Sequence, residues 1–230
     1  MNIIRNEKLI KRNQLIAQIT TFGSLIIFAG TFVISFRYPD QVTLWMGTLI
    51  AGFLISQVGI FFTNRFGPKT RPDLKLDQAL KGLDKKYTLY HYTTPVRHLL
   101  VGPAGVWILL PFFQGGTITY SKGRYKQKGG NFYMKIFAQE SLGRPELEMN
   151  SELSSLERYF KKHLPDFEMP PVQSVLVFTN PNVVVDISDE DSPPTIALPS
   201  SKLKNFIRKA AKAKSLSTEK IKTIENAFSN

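Results

Sequence analysis

The stretch VRHLLVGPAGVWIL (residues 96–109) consists of two apolar runs separated by a Gly-Pro-Ala-Gly turn at 102–105. Glycine accepts the backbone angles that tight turns require, and proline fixes one of them, so this tetrapeptide is a strong turn signal. The pattern predicts a β-hairpin with strands over 96–101 and 106–110. The second strand is continuously apolar, which is typical of a strand buried on both faces of a sheet.

Elements on both sides of this hairpin indicate a mixed α/β domain. Before it, Leu76, Leu80 and Leu83 recur at helical spacing, which predicts a helix over 73–85. The remaining strands are predicted over 87–92, 117–120, 131–137 and 172–178, and the remaining helices over 146–163, 200–214 and 217–228. This order predicts an α/β sandwich built on a mixed sheet, which is also the element order of restriction-endonuclease-like nucleases.

The N-terminal part of the chain carries two uncharged runs of 24 residues, 13–36 and 41–64. A membrane helix needs about 20 apolar residues, so the runs predict transmembrane helices over 14–36 and 42–63, joined by Arg37-Tyr38-Pro39-Asp40. The resulting division is a transmembrane hairpin over 1–64, a linker over 65–72 and a cytoplasmic domain over 73–230. Two buried helices of a soluble protein are the alternative, but they would normally show a polar face.

The distribution of basic residues predicts the orientation of this hairpin. Eight cations lie close to its open ends, and only Arg37 lies in the turn; the eight are Arg5, Lys8, Lys11, Arg12, Arg65, Lys69, Arg71 and Lys75. Because cations near membrane helices favour the cytoplasmic side, both termini are expected there. A cleaved signal peptide fits less well, since the apolar run is too long and a second run follows. We therefore predict an integral protein of a bacterial inner membrane.

The amino-acid composition excludes several kinds of functional site. The chain has no cysteine, which excludes disulfides, thiolate metal sites and a catalytic thiol, and it has only three histidines. No cofactor and no metal are predicted. Thirty Lys and Arg residues against 18 Asp and Glu residues give a formal charge of +12, which favours a polyanionic partner, either nucleic acid or anionic lipid.

The hairpin at 96–109 resembles the central signature of the NERD (nuclease-related domain) family. The family form is roughly I-D-H, three apolar residues, G-P-x-G-V, aromatic, V, apolar, E-x-K. Further matches are Gly116-Thr117-Ile118, Gly123-Arg124-Tyr125, Pro145 and the stretch 171–180. The resemblance covers about 72–228 and implies a restriction-endonuclease-like fold of the PD-(D/E)xK type.

The residues that such a nuclease needs are replaced at most of the matching positions. The opening acid of the family falls on Asp73, but the aspartate falls on Arg97, the glutamate on Leu110 and the lysine on Phe112. Acidic oxygens hold the metal that activates water in these enzymes, and a cation at 97 would repel that metal. The resemblance therefore implies a catalytically inactive relative, a pseudoenzyme. Glu140, Glu146 and Glu148 are the other nearby acids, and His98 is expected to be a structural hydrogen-bonding residue.

Two basic clusters of the domain could contact phosphates. One lies in a predicted loop over 121–130 and alternates cations with a tyrosine: Lys122, Arg124, Tyr125, Lys126 and Lys128. Cations and aromatic rings can bind phosphates and stack on bases, although a solvated turn has the same composition. The other covers the helix predicted at 200–214 and includes Lys202, Lys209 and Lys212.

Three hypotheses follow from the sequence. The first is a membrane-anchored, inactive NERD-like module that binds a ligand, with nucleic acid as the candidate. The second is an active metal-dependent nuclease whose site has been rearranged around Arg97 and Leu110. The third is a structural membrane protein whose apolar segment 110–113 meets a protein partner. Membrane lipid is an expected contact in all three.

Overall fold

The computed structural model describes residues 1–129, 142–188 and 193–228, and the chain forms two compact units. One unit comprises Glu7–Arg71, and the other comprises Met1–Asn6 together with Pro72–Asn230. The sequence assigns residues 1–6 to the hairpin, whereas the structure places them in the α/β unit, because they form an edge strand of its sheet. The strand predicted at 131–137 and Glu140 lie outside the described residues.

The first unit is a pair of helices, α1 (Glu7–Arg37) and α2 (Val42–Phe66). Both are longer than predicted, because polar residues at their ends continue the helical hydrogen bonding. Each is long and apolar enough to cross a membrane, and only 11% of its most apolar window is buried. The apolar side chains therefore point outward, unlike those of a soluble core helix.

Mostly small and polar residues line the seam between the two helices. Ile10, Ala17, Ser24 and Thr31 recur every seven residues on α1 and are all buried. On α2, a Cβ added at Gly59 would lie 2.7 Å from Thr21 Oγ1, and one at Gly52 would lie 2.9 Å from the ring of Phe28. At both positions α1 approaches α2 so closely that a side chain would collide with it. By contrast, Gly23, Gly30 and Gly47 lie off the seam, with nothing within 4 Å of an added Cβ.

The α/β unit contains a six-stranded mixed sheet in the order β1-β2-β3-β4-β7-β9. Its strands are β1 (Asn2–Arg5), β2 (Thr88–His91), β3 (His98–Gly102), β4 (Gly105–Phe112), β7 (Val172–Phe178) and β9 (Ile196–Pro199). β2, β3 and β4 are antiparallel neighbours, whereas β1 runs parallel to β2, and β4, β7 and β9 run parallel to one another. The predicted hairpin at 96–110 is confirmed as β3 and β4, with the turn at 102–105.

Among the described residues, four helices cover the two faces of this sheet: α3 (Pro72–Leu80), α4 (Pro145–His163), α5 (Ser200–Ala213) and α6 (Thr218–Ala227). Alternate residues of β4 pack on opposite faces, as the apolar run predicts. Ile108 and Leu110 share one buried cluster with residues of α4 and α6, and Trp107 and Leu109 share the other with residues of α3 and α5. The predicted α/β sandwich with a mixed sheet is confirmed at this level.

A second sheet of three strands has the order β6-β5-β8: β5 (Gly116–Ser121), β6 (Arg124–Lys128) and β8 (Val183–Val185). The loop predicted over 121–130 is therefore wrong for most of its length. Lys122 and Gly123 have φ angles of 52° and 74°, which make a tight turn, and the chain then returns as β6 antiparallel to β5. Two positive φ angles in succession match the twist of a two-residue hairpin, which is why the strands can pair directly.

Candidate functional site

Asp73 of α3, which matches the opening position of the NERD-like pattern in the sequence, is paired with an arginine from the N-terminus. Arg5 Nε lies 2.9 Å from the carboxylate of Asp73, and the same guanidinium contacts Asp77 one turn further along α3. Asp73 is only 1% exposed. β1 brings Arg5 to this place, because its parallel pairing with β2 sets Arg5 opposite His91.

Two buried histidines extend this cluster into the sheet. His91 on β2 and His98 on β3 face each other across the strands, with their Nδ1 atoms 2.8 Å apart, and His91 Nε2 lies 3.0 Å from Asp77 Oδ1. Burial, together with the nearby charges of His91, Arg97 and Arg5, lowers the pKa of His98 well below its usual value, so this imidazole is neutral. The predicted structural role of His98 is confirmed by its hydrogen bond. Both rings are buried, and the arrangement joins β2, β3 and α3.

Arg97, at the position of the family's aspartate, is held by two glutamates of α4. Its Nε donates to Glu152 at 2.6 Å, its backbone N–H donates to the same carboxylate at 3.0 Å, and a terminal nitrogen donates to Glu148. Burial alone would lower the pKa of Arg97, but the carboxylates of Glu148 and Glu152 outweigh it and raise that pKa. The carboxylates that lie near this position thus neutralise a guanidinium.

Leu110 and Phe112, at the positions of the family's glutamate and lysine, belong to the core. They are 2% and 9% exposed, and the ring of Phe112 stacks on Phe178 of the neighbouring strand at 5.7 Å between centroids. The apolar segment 110–113 therefore does not form an exposed patch, since Phe113 is its one strongly exposed member. This disfavours the hypothesis of a protein partner at that segment.

Each described polar side chain that the sequence places in or near a nuclease site is engaged with another part of the α/β unit. Asp73 pairs with Arg5, Arg97 pairs with α4, and Glu146 accepts a hydrogen bond of 2.6 Å from the backbone N–H of Tyr125. Within the described ranges, no three His, Asp or Glu side chains are arranged to hold a metal ion.

The basic hairpin formed by β5 and β6 presents one charged face. Arg124, Lys126 and Lys128 alternate along β6 and are exposed, and Lys122 is exposed in the turn. Their partners on β5 are Ser121, Thr119 and Thr117, so hydroxyl groups accompany the cations on the same face. We call this surface, made of Lys122, Arg124, Lys126 and Lys128, the basic strip.

Tyr125 lies on the opposite face from the basic strip. Its side chain is 5% exposed, and its hydroxyl donates a hydrogen bond to the carbonyl oxygen of Thr195. Burial raises its pKa, and the nearby Tyr120 and Glu146 add to that effect. The prediction that Tyr125 stacks on a base is therefore wrong, because the two-residue period of a strand turns it inward when Arg124 and Lys126 point outward.

Sequence reasoning missed Arg5, Asp77, His91 and Glu152. His91 could have been found, because pairing the strands of residues 87–92 and 96–101 about their connecting turn sets it opposite His98. The role of Arg5 could not be predicted in this way, since in the sequence it is one of several cations that flank a predicted membrane helix.

Comparisons of the chain with protein-family models, with curated proteins and with solved structures found no match. The fold and the site define the class of protein as a mixed α/β protein with two long apolar N-terminal helices, in which arginines neutralise the acids near the candidate site.

Proposed function

We propose that this protein is a membrane-anchored, NERD-like module that binds nucleic acid without cleaving it. One observation carries the proposal: the acids that remain near the family's catalytic positions are held by arginines, Asp73 by Arg5, and Glu148 and Glu152 by Arg97. A carboxylate already paired with a guanidinium is a poor ligand for a divalent cation, because the metal must first displace the arginine.

Membrane anchoring is supported by the exposed apolar surface of α1 and α2, which would be unfavourable in water. The α/β unit contains residues from both sides of the hairpin, and Arg5 and Asp73 are in direct contact. Both ends of a spanning hairpin would then lie on one side of the membrane. The excess of cations at those ends favours the cytoplasm, and a bacterial inner membrane is the proposed location.

Lack of cleavage is the first expected result. The full chain, purified in detergent, should leave labelled single-stranded and double-stranded DNA and RNA intact in Mg²⁺ or Mn²⁺, as measured on denaturing gels. The full chain is required, because a fragment that begins at residue 65 would lack β1. Metal-dependent cleavage that disappears in Asp73→Ala would overturn the proposal and favour the rearranged nuclease.

Binding through the basic strip is the second expected result. On single-stranded DNA, each cation that contacts a phosphate contributes about 0.7 to the slope of log K against log salt. Replacing all four members of the strip by glutamine should therefore reduce that slope by about three units, measured by fluorescence anisotropy with labelled single-stranded DNA between 50 and 200 mM salt.

A matched control removes the same charge elsewhere. Lys202, Lys209, Lys212 and Lys214 are exposed on or next to α5, and replacing them by glutamine should leave the slope nearly unchanged. Lys204 and Arg208 are kept, since they donate hydrogen bonds to the carbonyl oxygens of Lys81 and Gly82, which follow α3 in the chain. Equal losses in both variants would indicate attraction to overall charge and would contradict a site on the basic strip.

A further inference from the structure

The helix pair has a cleft at the end where α1 begins and α2 ends. Its volume is about 220 Å³, and it lies wholly within the unit of residues 7–71. The α1 side is formed by Gln14, Gln18, Thr21 and Phe22, and the α2 side includes Thr63 and Pro68. The two sides are held together by a hydrogen bond of 2.9 Å from the Gln14 amide to the carbonyl oxygen of Phe66.

The cleft changes from polar to apolar along α1. Gln14 and Gln18 lie near the charged end of the helix, and Phe22 lies one turn further into the apolar run. Residues 14 and 22 are eight apart, which corresponds to about 12 Å along a helix. A molecule with a polar head and an apolar tail would match this gradient over the length of its head and the first carbons of its tail.

Two exposed lysines are close in the chain to residues at the polar end of the cleft. Lys11 precedes Gln14 by three residues and so lies on the same face of α1, and Lys69 directly follows Pro68. This end of the unit carries six cations, Lys8, Lys11, Arg12, Arg65, Lys69 and Arg71, against one acid, Glu7. The opposite end carries Arg37 and Asp40, which cancel. The charge therefore selects an anionic head at one end only.

We propose that this cleft binds one glycerophospholipid with a net negative headgroup. The phosphate lies between Lys11 and Lys69, the glycerol and ester oxygens meet the amides of Gln14 and Gln18, and the first acyl carbons contact Phe22. The proposal rests on the membrane-anchored function, since the cleft would otherwise face water. It is independent of the basic strip and of nucleic acid binding.

The test compares lipids bound to the full chain by native mass spectrometry, after titration with phosphatidylglycerol or phosphatidylcholine in detergent. One phosphatidylglycerol should be retained per chain at concentrations where phosphatidylcholine is not. A basic residue near the membrane surface contributes roughly a fivefold preference for anionic lipid, so the double variant Lys11→Gln/Lys69→Gln should bind about 30-fold more weakly. Gln18→Trp, which fills the cleft and keeps both lysines, should also lose the bound lipid.

Arg12→Gln is the matched control, because residue 12 lies at the same end of α1 but about 160° away from Gln14 around the helix. It should bind phosphatidylglycerol as the unaltered chain does. If Arg12→Gln lost as much affinity for phosphatidylglycerol as the double variant, the lipid would be attracted by the overall positive charge of this end, and the proposal would be overturned. Equal retention of phosphatidylglycerol and phosphatidylcholine would also overturn it. If soluble glycerol phosphate were retained by the chain to the same extent as phosphatidylglycerol, the proposal would also be overturned, in favour of a simple anion site.

Fractionation separates failure of this proposal from failure of the proposed function. If the protein resists carbonate extraction from membranes but shows no preference for phosphatidylglycerol, the lipid site alone is wrong. If the protein is extracted into the soluble fraction, membrane anchoring is wrong, and the lipid site is wrong with it.

Discussion

Replacing Arg5 by alanine is expected to lower the free energy of unfolding by about 3–5 kcal/mol, the usual cost of leaving a buried charge without its partner. The carboxylate of Asp73 is almost fully buried and lies 2.9 Å from Arg5 Nε. Without the guanidinium, two carboxylates of α3 would face the His91–His98 pair with one fewer positive charge. The measurement is urea-induced unfolding of the full chain in detergent, followed by tryptophan fluorescence in a Trp45→Phe background, so that the signal comes from Trp107, which is buried in the α/β unit.

Two variants test whether the loss comes from this ion pair. Asp73→Asn should restore a large part of the stability in the Arg5→Ala background, because it removes the unpaired charge. A double-mutant cycle then gives the coupling between the two residues, expected at more than 1 kcal/mol for groups in direct contact. Arg12→Ala, a change of the same kind on exposed α1 surface, should alter stability by less than about 0.5 kcal/mol. A cycle with no coupling would contradict the assignment of Arg5 to this site.

The second large effect is expected when a glutamate is placed at position 110, where the NERD-like pattern would have one. Leu110→Glu should destabilise the protein by at least 4 kcal/mol, since it replaces a fully buried leucine of the core by an unpaired carboxylate and removes apolar contacts. Leu110→Met, which conserves volume, should cost less than about 1.5 kcal/mol. No cleavage of DNA is expected from either variant.

The pH dependence of this loss identifies its cause. Burial raises the folded-state pKa of the introduced carboxyl above its unfolded value of about 4.3. The penalty is then smallest below pH 4 and grows as the pH rises from the unfolded pKa towards the folded pKa. Unfolding midpoints of the variant relative to Leu110→Met should therefore fall between pH 4 and pH 7. A difference independent of pH would indicate a packing defect rather than a buried charge.

Much of the fold was predictable, because its signals are local. The turn at 102–105 and the apolar run after it predict β3 and β4, and Ser217, whose hydroxyl accepts from the N–H of Lys220 at 3.3 Å, predicts the start of α6. That residues 97 and 110 are not acidic, unlike the corresponding positions of the NERD-like pattern, is likewise evident from one sequence. These features depend on residues a few positions apart, and the physical chemistry of turns, caps and burial acts at that range.

The features that were missed depend on pairing between distant segments. The sequence predicts a loop at β6, because its only apolar residue is Tyr125 and an apolar–polar alternation is therefore not evident. Only its register with β5 shows that Tyr125 points inward. In the sequence, Glu152 is indistinguishable from a surface residue of an amphipathic helix. Only the packing of α4 beside Arg97 shows that it holds this arginine. Neither arrangement is encoded in the neighbouring residues.

The sequence by itself determined that two hydrocarbon-length helices precede a mixed α/β unit, and that Arg97, Leu110 and Phe112 stand where the NERD-like pattern would have an aspartate, a glutamate and a lysine. Only the tertiary structure decided which charged side chains pair with one another. Residues 2–5, which precede the helical hairpin in the chain, pair with β2, which follows it. Arg5 therefore contacts Asp73 although 67 residues separate them. Such a contact depends on where the chain returns after α2, and the charge of Arg5 looks the same in the sequence whether it neutralises a buried acid or only flanks a membrane helix.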